Sequence, residues 1–108
     1  MSPFALSLLA DEQLALARTT GSGRSARTLL GGPARLRQTL VALMAGHALE
    51  EHASPGDATL QVLRGRVRLV VEGRSWPGSA GDLLVIPDAR HALHADEDAV
   101  VLLTVARG

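Results

Sequence analysis

Short runs of alternating apolar and polar residues follow one another from residue 28 to the end of the chain, separated by glycine and proline. In the clearest run, RVRLVVE, the residues Val67, Leu69 and Val71 share one face and charged residues take the other. Because side chains on a strand alternate between two faces, this run predicts a half-buried antiparallel strand. The predicted strands are 28–30, 35–45, 49–53, 58–64, 66–72, 74–76, 83–86, 91–95 and 99–106. Short strands punctuated in this way predict an all-β sandwich or small barrel.

One of these segments, 35–45, fits two structures. Its residues Leu36, Thr39, Val41 and Leu43 match spacings of both two and three residues, so a helix remains an alternative. The β-branched residues and the glycines on either side favour a strand.

The first part of the chain has a different pattern. Residues 2–20 predict a short apolar helical arm, capped by Ser7 or Asp11 and carrying Arg18 in its last turn. Residues 21–27 (GSGRSAR) predict a loop. Its Gly-x-Gly does not make a dinucleotide site, since no strand is predicted before it and no helix after it.

These segments define the domain organisation. We expect one domain overall, because 108 residues suffice for one core and not for two. Residues 1–27 are predicted as the helical arm and linker, and residues 28–108 as the β-barrel.

Charge and composition exclude several classes of function. The formal net charge is zero, and the eleven basic residues are all arginine. No basic field for nucleic acid or anionic lipid is present, so neither is expected as a partner. An all-arginine set can indicate bidentate anion recognition, although arginine-biased codon usage is the preferred explanation. There is no cysteine, so any metal would need His, Asp or Glu ligands.

The apolar N-terminal segment is interrupted by Asp11 and Glu12 and has no preceding positive region, which argues against a signal peptide. No stretch approaches the ~20 apolar residues of a membrane span. We therefore expect a soluble protein located in the cytoplasm.

Two stretches carry a more specific pattern. In the first, Gly46 is followed after five residues by His52, then by Ser54 and Ala58, and Gly65 ends the stretch. This spacing resembles the first motif of the cupin superfamily, in particular the small single-domain RmlC-like cupins of the type-2 conserved-barrel kind. In that motif a second His stands where this chain has Ser54, and a Glu where it has Ala58.

The second stretch resembles the second cupin motif. Gly81 is followed after five residues by Pro87 and after three more by His91, where the family has four; Ala95 stands where the family has Asn. The resemblance covers roughly residues 35 to 105. It implies a double-stranded β-helix, or jelly-roll, barrel with a short N-terminal helical arm.

The resemblance also implies candidate site residues. Typical cupins hold Fe, Mn, Ni or Zn with three His and one Glu, and this chain keeps His52 and His91 of those four. Residues two apart on a strand share a face, so Glu50 is the predicted carboxylate partner, with Asp57 as an alternative. The candidate metal ligands are therefore His52, His91 and Glu50, although no cofactor is certain. The predicted ligand pocket consists of His52, Ser54, Ala58, Leu60, Val62 and His91.

A structural role for the two histidines remains the main alternative to a metal site. His52 and His91 would then be hydrogen-bonded to each other, to Gln61 or to buried water. The leading functional hypothesis is a stand-alone cupin that binds a small molecule in its barrel. The alternatives are a metal-dependent oxygenase or isomerase that uses His52, His91 and a carboxylate, and a metabolite-sensing module that acts with a partner. We also expect a homodimer in which the apolar N-terminal arm contributes a contact.

Overall fold

The computed structural model describes residues 2–53 and 56–107, with His52 described by its backbone alone. Within these residues one helix is followed by strands. The elements are α1 Leu6–Thr19, β1 Arg24–Leu30, β2 Leu36–Leu43, β3 Ala48–His52, β4 Asp57–Arg64, β5 Arg66–Val71, β6 Arg74–Ser79, β7 Leu83–Ile86, β8 His91–Ala95 and β9 Ala99–Ala106.

The strands form two antiparallel sheets. Five strands in the order β1-β2-β9-β4-β7 form the first sheet, and four in the order β3-β8-β5-β6 form the second. Consecutive strands repeatedly lie in different sheets, as in a jelly roll. The prediction of an all-β jelly-roll barrel with an N-terminal helix is confirmed.

The segment with two interpretations, 35–45, is a strand. From Leu36 to Leu43, β2 pairs without interruption with β9, and on its other edge it pairs with β1. Strand β1 begins at Arg24, inside the predicted loop 21–27. It extends that far because β2 continues to Leu43, which pairs with Arg24. Strand β6 likewise continues past its predicted end at residue 76, and Pro77 pairs in register with Arg68 of β5.

Alternation along β2 and β9 divides the apolar residues between two cores. Val41 and Val101, which are cross-strand neighbours, face the second sheet and belong to the barrel core. Leu40 and Leu102, also neighbours, face outward and belong to a second core. The face that a residue of β2 or β9 occupies can therefore be told from its number: odd residues face inward.

Helix α1 covers part of the outer face of the five-stranded sheet. Its residues Leu9, Ala10 and Ala17 are buried with Leu40 and Leu102 of the sheet. The apolar side of the arm therefore packs mainly on its own barrel, while Leu8 and Leu16 remain exposed.

The C-terminal end of α1 agrees with the prediction, and its N-terminal end does not. Ala5 occupies the N-cap without a side-chain hydrogen bond, so the predicted caps Ser7 and Asp11 were wrong. Arg18 lies in the last turn, as predicted.

No helix within the described residues is long and apolar enough to span a bilayer.

Candidate functional site

A small cavity lies between the two sheets. Its volume is about 30 Å³, enough for a water molecule or an ion but far below the several hundred Å³ of a typical ligand site. The described residues that form its wall are aliphatic except for one histidine: Val41, Leu49, Leu60, Leu69, Ile86, His91, Leu93, Val101 and Leu103.

His91 supplies the polar group of this wall. It is the first residue of β8 and is 4% exposed. Its Nδ1 lies 3.0 Å from the carbonyl oxygen of Ala89. When Nδ1 carries the proton and donates to this carbonyl, Nε2 is left as an acceptor or ligand. The carbonyl of Ala89 therefore helps to fix the orientation of a buried imidazole.

Strand β3 approaches His91 through an irregularity in its pairing. Leu49 pairs with Leu93 and His52 pairs with His91, so two residues of β3, Glu50 and Glu51, lie opposite a single residue of β8. Such a bulge interrupts the two-residue alternation. Leu49 lines the cavity, whereas Glu50 is exposed. The regular alternation on which the sequence argument for Glu50 relied therefore does not hold across this part of β3.

The other carboxylates near β3 and β4 are also on the surface. Glu51 is exposed and its Oε1 accepts a hydrogen bond from Nε of Arg90 at 3.0 Å. Asp57, the alternative to Glu50, is exposed at the start of β4. Gln61, suggested as a partner for the histidines, is exposed as well.

The predicted pocket residues are brought together only in part. Leu60 and His91 line the cavity. Ala58 and Val62 are buried in the same barrel core and lie outside the cavity wall. Ser54 lies outside the described residues, as does the side chain of His52.

A divalent metal ion does not fit the donor set that the described residues provide. Among these residues no group of three His, Asp or Glu side chains is close enough together to hold an ion. Among the side chains that the structure describes, His91 supplies the one imidazole of the cavity wall, and Ala58 has no donor atom where the family places Glu. One imidazole nitrogen among these aliphatic side chains is a poor site for Fe, Mn, Ni or Zn, so we derive no chemistry through a metal.

A larger groove opens next to the cavity, at the end of the barrel where β2 begins and β9 ends. Its volume is about 430 Å³, and its wall consists of Arg37, Thr39, Leu103, Val105 and Arg107. Leu103 lines both the groove and the cavity. We call this the mouth groove.

The mouth groove was not among the sites predicted from the sequence. Odd residues of β2 and β9 face inward, so Arg37 and Arg107 continue the faces of Val41 and Val101 towards the open end. Once 35–45 is taken as a strand, the two-residue repeat from Val41 is the signal that would have placed Arg37 on the inner wall.

Comparisons with solved structures support the fold. A conserved protein from Streptococcus pyogenes, itself of unknown function, is 29% identical over 82% of this chain and 78% of its own, with a TM-score of 0.74. An RmlC-like cupin from Desulfovibrio desulfuricans is 25% identical over 77% of this chain and 81% of its own, with a TM-score of 0.69. A cupin 2 conserved barrel domain protein from Leptotrichia buccalis is 28% identical over 82% of this chain and 43% of its own, with a TM-score of 0.74.

Among the curated proteins, none matches the chain. The model of the cupin domain family matches residues 39–106, which include most of β2 and all of β3 to β9. The two glycine-containing stretches and the jelly-roll topology agree with that match, and the chain belongs to the cupin domain family.

Proposed function

We propose that this cupin binds a small molecule in the mouth groove, with one end of the ligand directed along Leu103 towards His91. The observation that carries the proposal is the shared wall: Leu103 borders both the mouth groove and the cavity that contains His91. The ligand therefore lies mainly at the mouth of the barrel, since the cavity itself holds no more than a water molecule or an ion.

The dimensions and chemistry of the mouth groove support this assignment. A volume of about 430 Å³ falls in the usual range of ligand sites. Leu103 and Val105 provide apolar surface, while Thr39, Arg37 and Arg107 provide hydrogen-bond donors. Apolar walls with a few polar groups are typical of sites that bind small molecules.

A thermal-shift screen of small metabolites, followed by calorimetry on the hits, tests the proposal. Leu103→Trp fills the shared wall and is expected to abolish binding. Gln61→Trp, on an exposed position of β4, is the matched control and is expected to bind as the wild type does. A compound that binds Leu103→Trp and Gln61→Trp with the same affinity would show that it binds outside the mouth groove. If no compound in the screen binds, the proposal is contradicted.

We propose further that the protein is a homodimer formed through the β6–β7 edge, by which we mean Trp76, Leu83, Val85 and Pro87. Strands β6 and β7 are edge strands of the two sheets. Leu83 and Val85 are 61% and 74% exposed, and with Trp76 and Pro87 they line a groove of about 280 Å³. Strand β7 (LLVI) has no charged residue to discourage pairing with another strand. A second copy offers the same edge strand, so a two-fold contact covers the outer side of both strands.

A further inference from the structure

We infer that the mouth groove recognises an oxyanion, the carboxylate or phosphate group of a small molecule, between Arg37 and Arg107. This inference rests on the proposed function and specifies its ligand class. Three observations carry it: an incompletely bonded buried donor, an excess of positive charge in the groove, and apolar surface beside both.

The buried donor is Nε of Arg37. Arg37 lies on β2 opposite Val105, and its Nη2 donates to the carbonyl oxygen of Gly32 at 2.6 Å. Its Nε is buried and has no hydrogen-bond acceptor among the described residues. A buried N–H without an acceptor costs free energy. The contact with Gly32 holds the guanidinium in place, so an oxyanion at Nε would meet an oriented donor.

The charge excess arises because the described residues place no acidic side chain in the wall of the mouth groove. Arg37 and Arg107 both line it, and among the described residues neither has a carboxylate within 4.0 Å. The backbone N–H of Arg107 donates to the carbonyl oxygen of Arg35 at 2.8 Å, which places a third arginine at this end of the sheet.

A second groove with two arginines shows the contrast. Arg66 and Arg68 line it together with Asp82, Asp96 and Glu97. Nε of Arg68 donates to both carboxylate oxygens of Asp96, at 2.9 and 3.0 Å. In that groove the protein supplies its own anions, whereas the described wall residues of the mouth groove include no carboxylate.

The positions of the apolar residues indicate the rest of the ligand. Thr39 and Leu103 are cross-strand neighbours beside Arg37 and Val105. An oxyanion between the guanidiniums would therefore have a short apolar or weakly polar chain lying along Val105 and Leu103. Arginine suits this role because its planar fork matches two oxygens of a carboxylate or phosphate.

Titration of the wild-type protein with small probes, followed by NMR, gives a direct test. Butyrate and butyramide differ only in the charged group, and methyl phosphate provides the phosphate arm. The Nε–H resonance of Arg37, assigned from its loss in Arg37→Lys, is the reporter. Butyrate or methyl phosphate should shift this resonance and butyramide should not, and whichever oxyanion binds more tightly identifies the source.

The variants test the same inference by affinity. Arg37→Met and Arg107→Met should each weaken oxyanion binding by about tenfold or more, since hydrogen bonds to charged groups are the stronger ones. Arg37→Lys keeps the charge and loses the fork, and it should also bind more weakly. Arg35→Met removes the same charge from an exposed position outside the groove wall. Its affinity for the oxyanion should stay within about twofold of the wild-type value, because solvent and salt screen the charge of an exposed arginine.

The two proposals fail in different ways. Suppose that an uncharged ligand binds the wild type, does not bind Leu103→Trp, and binds Arg37→Met with unchanged affinity. This result would overturn the oxyanion inference and leave the proposed function standing. If no ligand of any charge were excluded by Leu103→Trp, the proposed function would fall. If Arg37→Met does not fold, the exposed Arg107→Met variant and the wild-type titration still test whether the groove binds an oxyanion. An Nε–H resonance of Arg37 that neither oxyanion shifts would overturn the inference.

Discussion

Gly65 and Asp98 are in such close contact that no β-carbon fits between them. Gly65 connects β4 to β5 with a φ of +72°, and a β-carbon built on it would overlap the carbonyl oxygen of Asp98 in the β8–β9 turn. The glycine that ends the first cupin motif therefore allows both a left-handed backbone conformation and the close approach of a neighbouring turn.

Gly65→Ala is expected to cost about 3 kcal/mol of unfolding free energy, the left-handed strain plus the cost of overpacking. Gly73→Ala is the matched control, since its φ is +76° and a β-carbon there meets nothing within 4 Å. It should cost about 1–2 kcal/mol, the strain alone. Chemical denaturation of both variants makes the comparison, and equal losses would show that the Asp98 contact carries no cost.

The glycines and the alternating runs made most of this fold predictable from the sequence. The β5 run places Val67 and Leu69 in the core and leaves Arg66 exposed, as the two-residue repeat requires. Gly46, Gly65 and Gly81, identified from motif spacing, all have positive φ.

The site was less predictable, for identifiable reasons. The bulge at Glu50 and Glu51 follows from how β3 pairs with β8, and no local pattern in the sequence marks it. The mouth groove forms because Arg37 and Arg107 lie on the same inner face, and they do so because β2 and β9 are neighbouring strands. Long-range pairing of this kind is not encoded in local periodicity.

The packing of α1 could not be predicted for a similar reason. An apolar arm needs a surface to cover, but its own composition does not say whether that surface belongs to the same chain or to a partner. The buried residues Leu9 and Ala17 lie against Leu40 and Leu102, so most of that surface is the chain's own outer sheet.

The pair Gln13 and Ser25 should contribute to holding α1 on the sheet. Gln13 is 5% exposed, and Oγ of Ser25 lies 2.7 Å from its backbone oxygen and 2.8 Å from its Oε1. Ser25→Ala leaves a buried amide without this partner and should cost about 1–3 kcal/mol. Ser22→Ala, an exposed control in the loop before β1, should be close to neutral.

A double-mutant cycle separates this hydrogen bond from simple packing. Gln13→Leu with Ser25→Ala replaces the polar pair by apolar groups, so the double variant should lose less than the sum of the two single losses. Urea denaturation measures all four proteins. Strict additivity would mean that the two side chains do not interact.

The protein purified without a polyhistidine tag is expected to contain metal far below one ion per chain. The physical reason is the donor set: the described side chains of the cavity wall include one imidazole, that of His91, and Ala58 has no donor atom where the family has Glu. Plasma mass spectrometry of the wild type and of His52→Ala/His91→Ala makes the measurement. Near-stoichiometric metal that disappears in the double variant would contradict the prediction and favour the metal-dependent alternative.

Restoring the family's ligands provides the converse test. Ser54→His with Ala58→Glu supplies both missing ligand types, and the double variant should bind Mn²⁺, Ni²⁺ or Zn²⁺ more tightly than the wild type does. Ala58→Glu alone should lower stability in the absence of metal, because Ala58 is 7% exposed and a carboxylate there would be desolvated. Added metal should recover that loss only when the full ligand set is present.

The interface of the proposed homodimer is the remaining question, and the exposed apolar side chains offer two sites for it. Val85 lies on the β6–β7 edge and Leu16 on the outer side of α1; they are 74% and 53% exposed. The edge is the expected contact because the outer sides of β6 and β7 face no other strand among the described residues, whereas the backbone of α1 is already hydrogen-bonded within the helix. Val85→Arg should therefore give a monomer in light scattering, and Leu16→Arg should stay dimeric. The reverse result would place the contact on the N-terminal arm, and a monomeric wild type would exclude the dimer altogether.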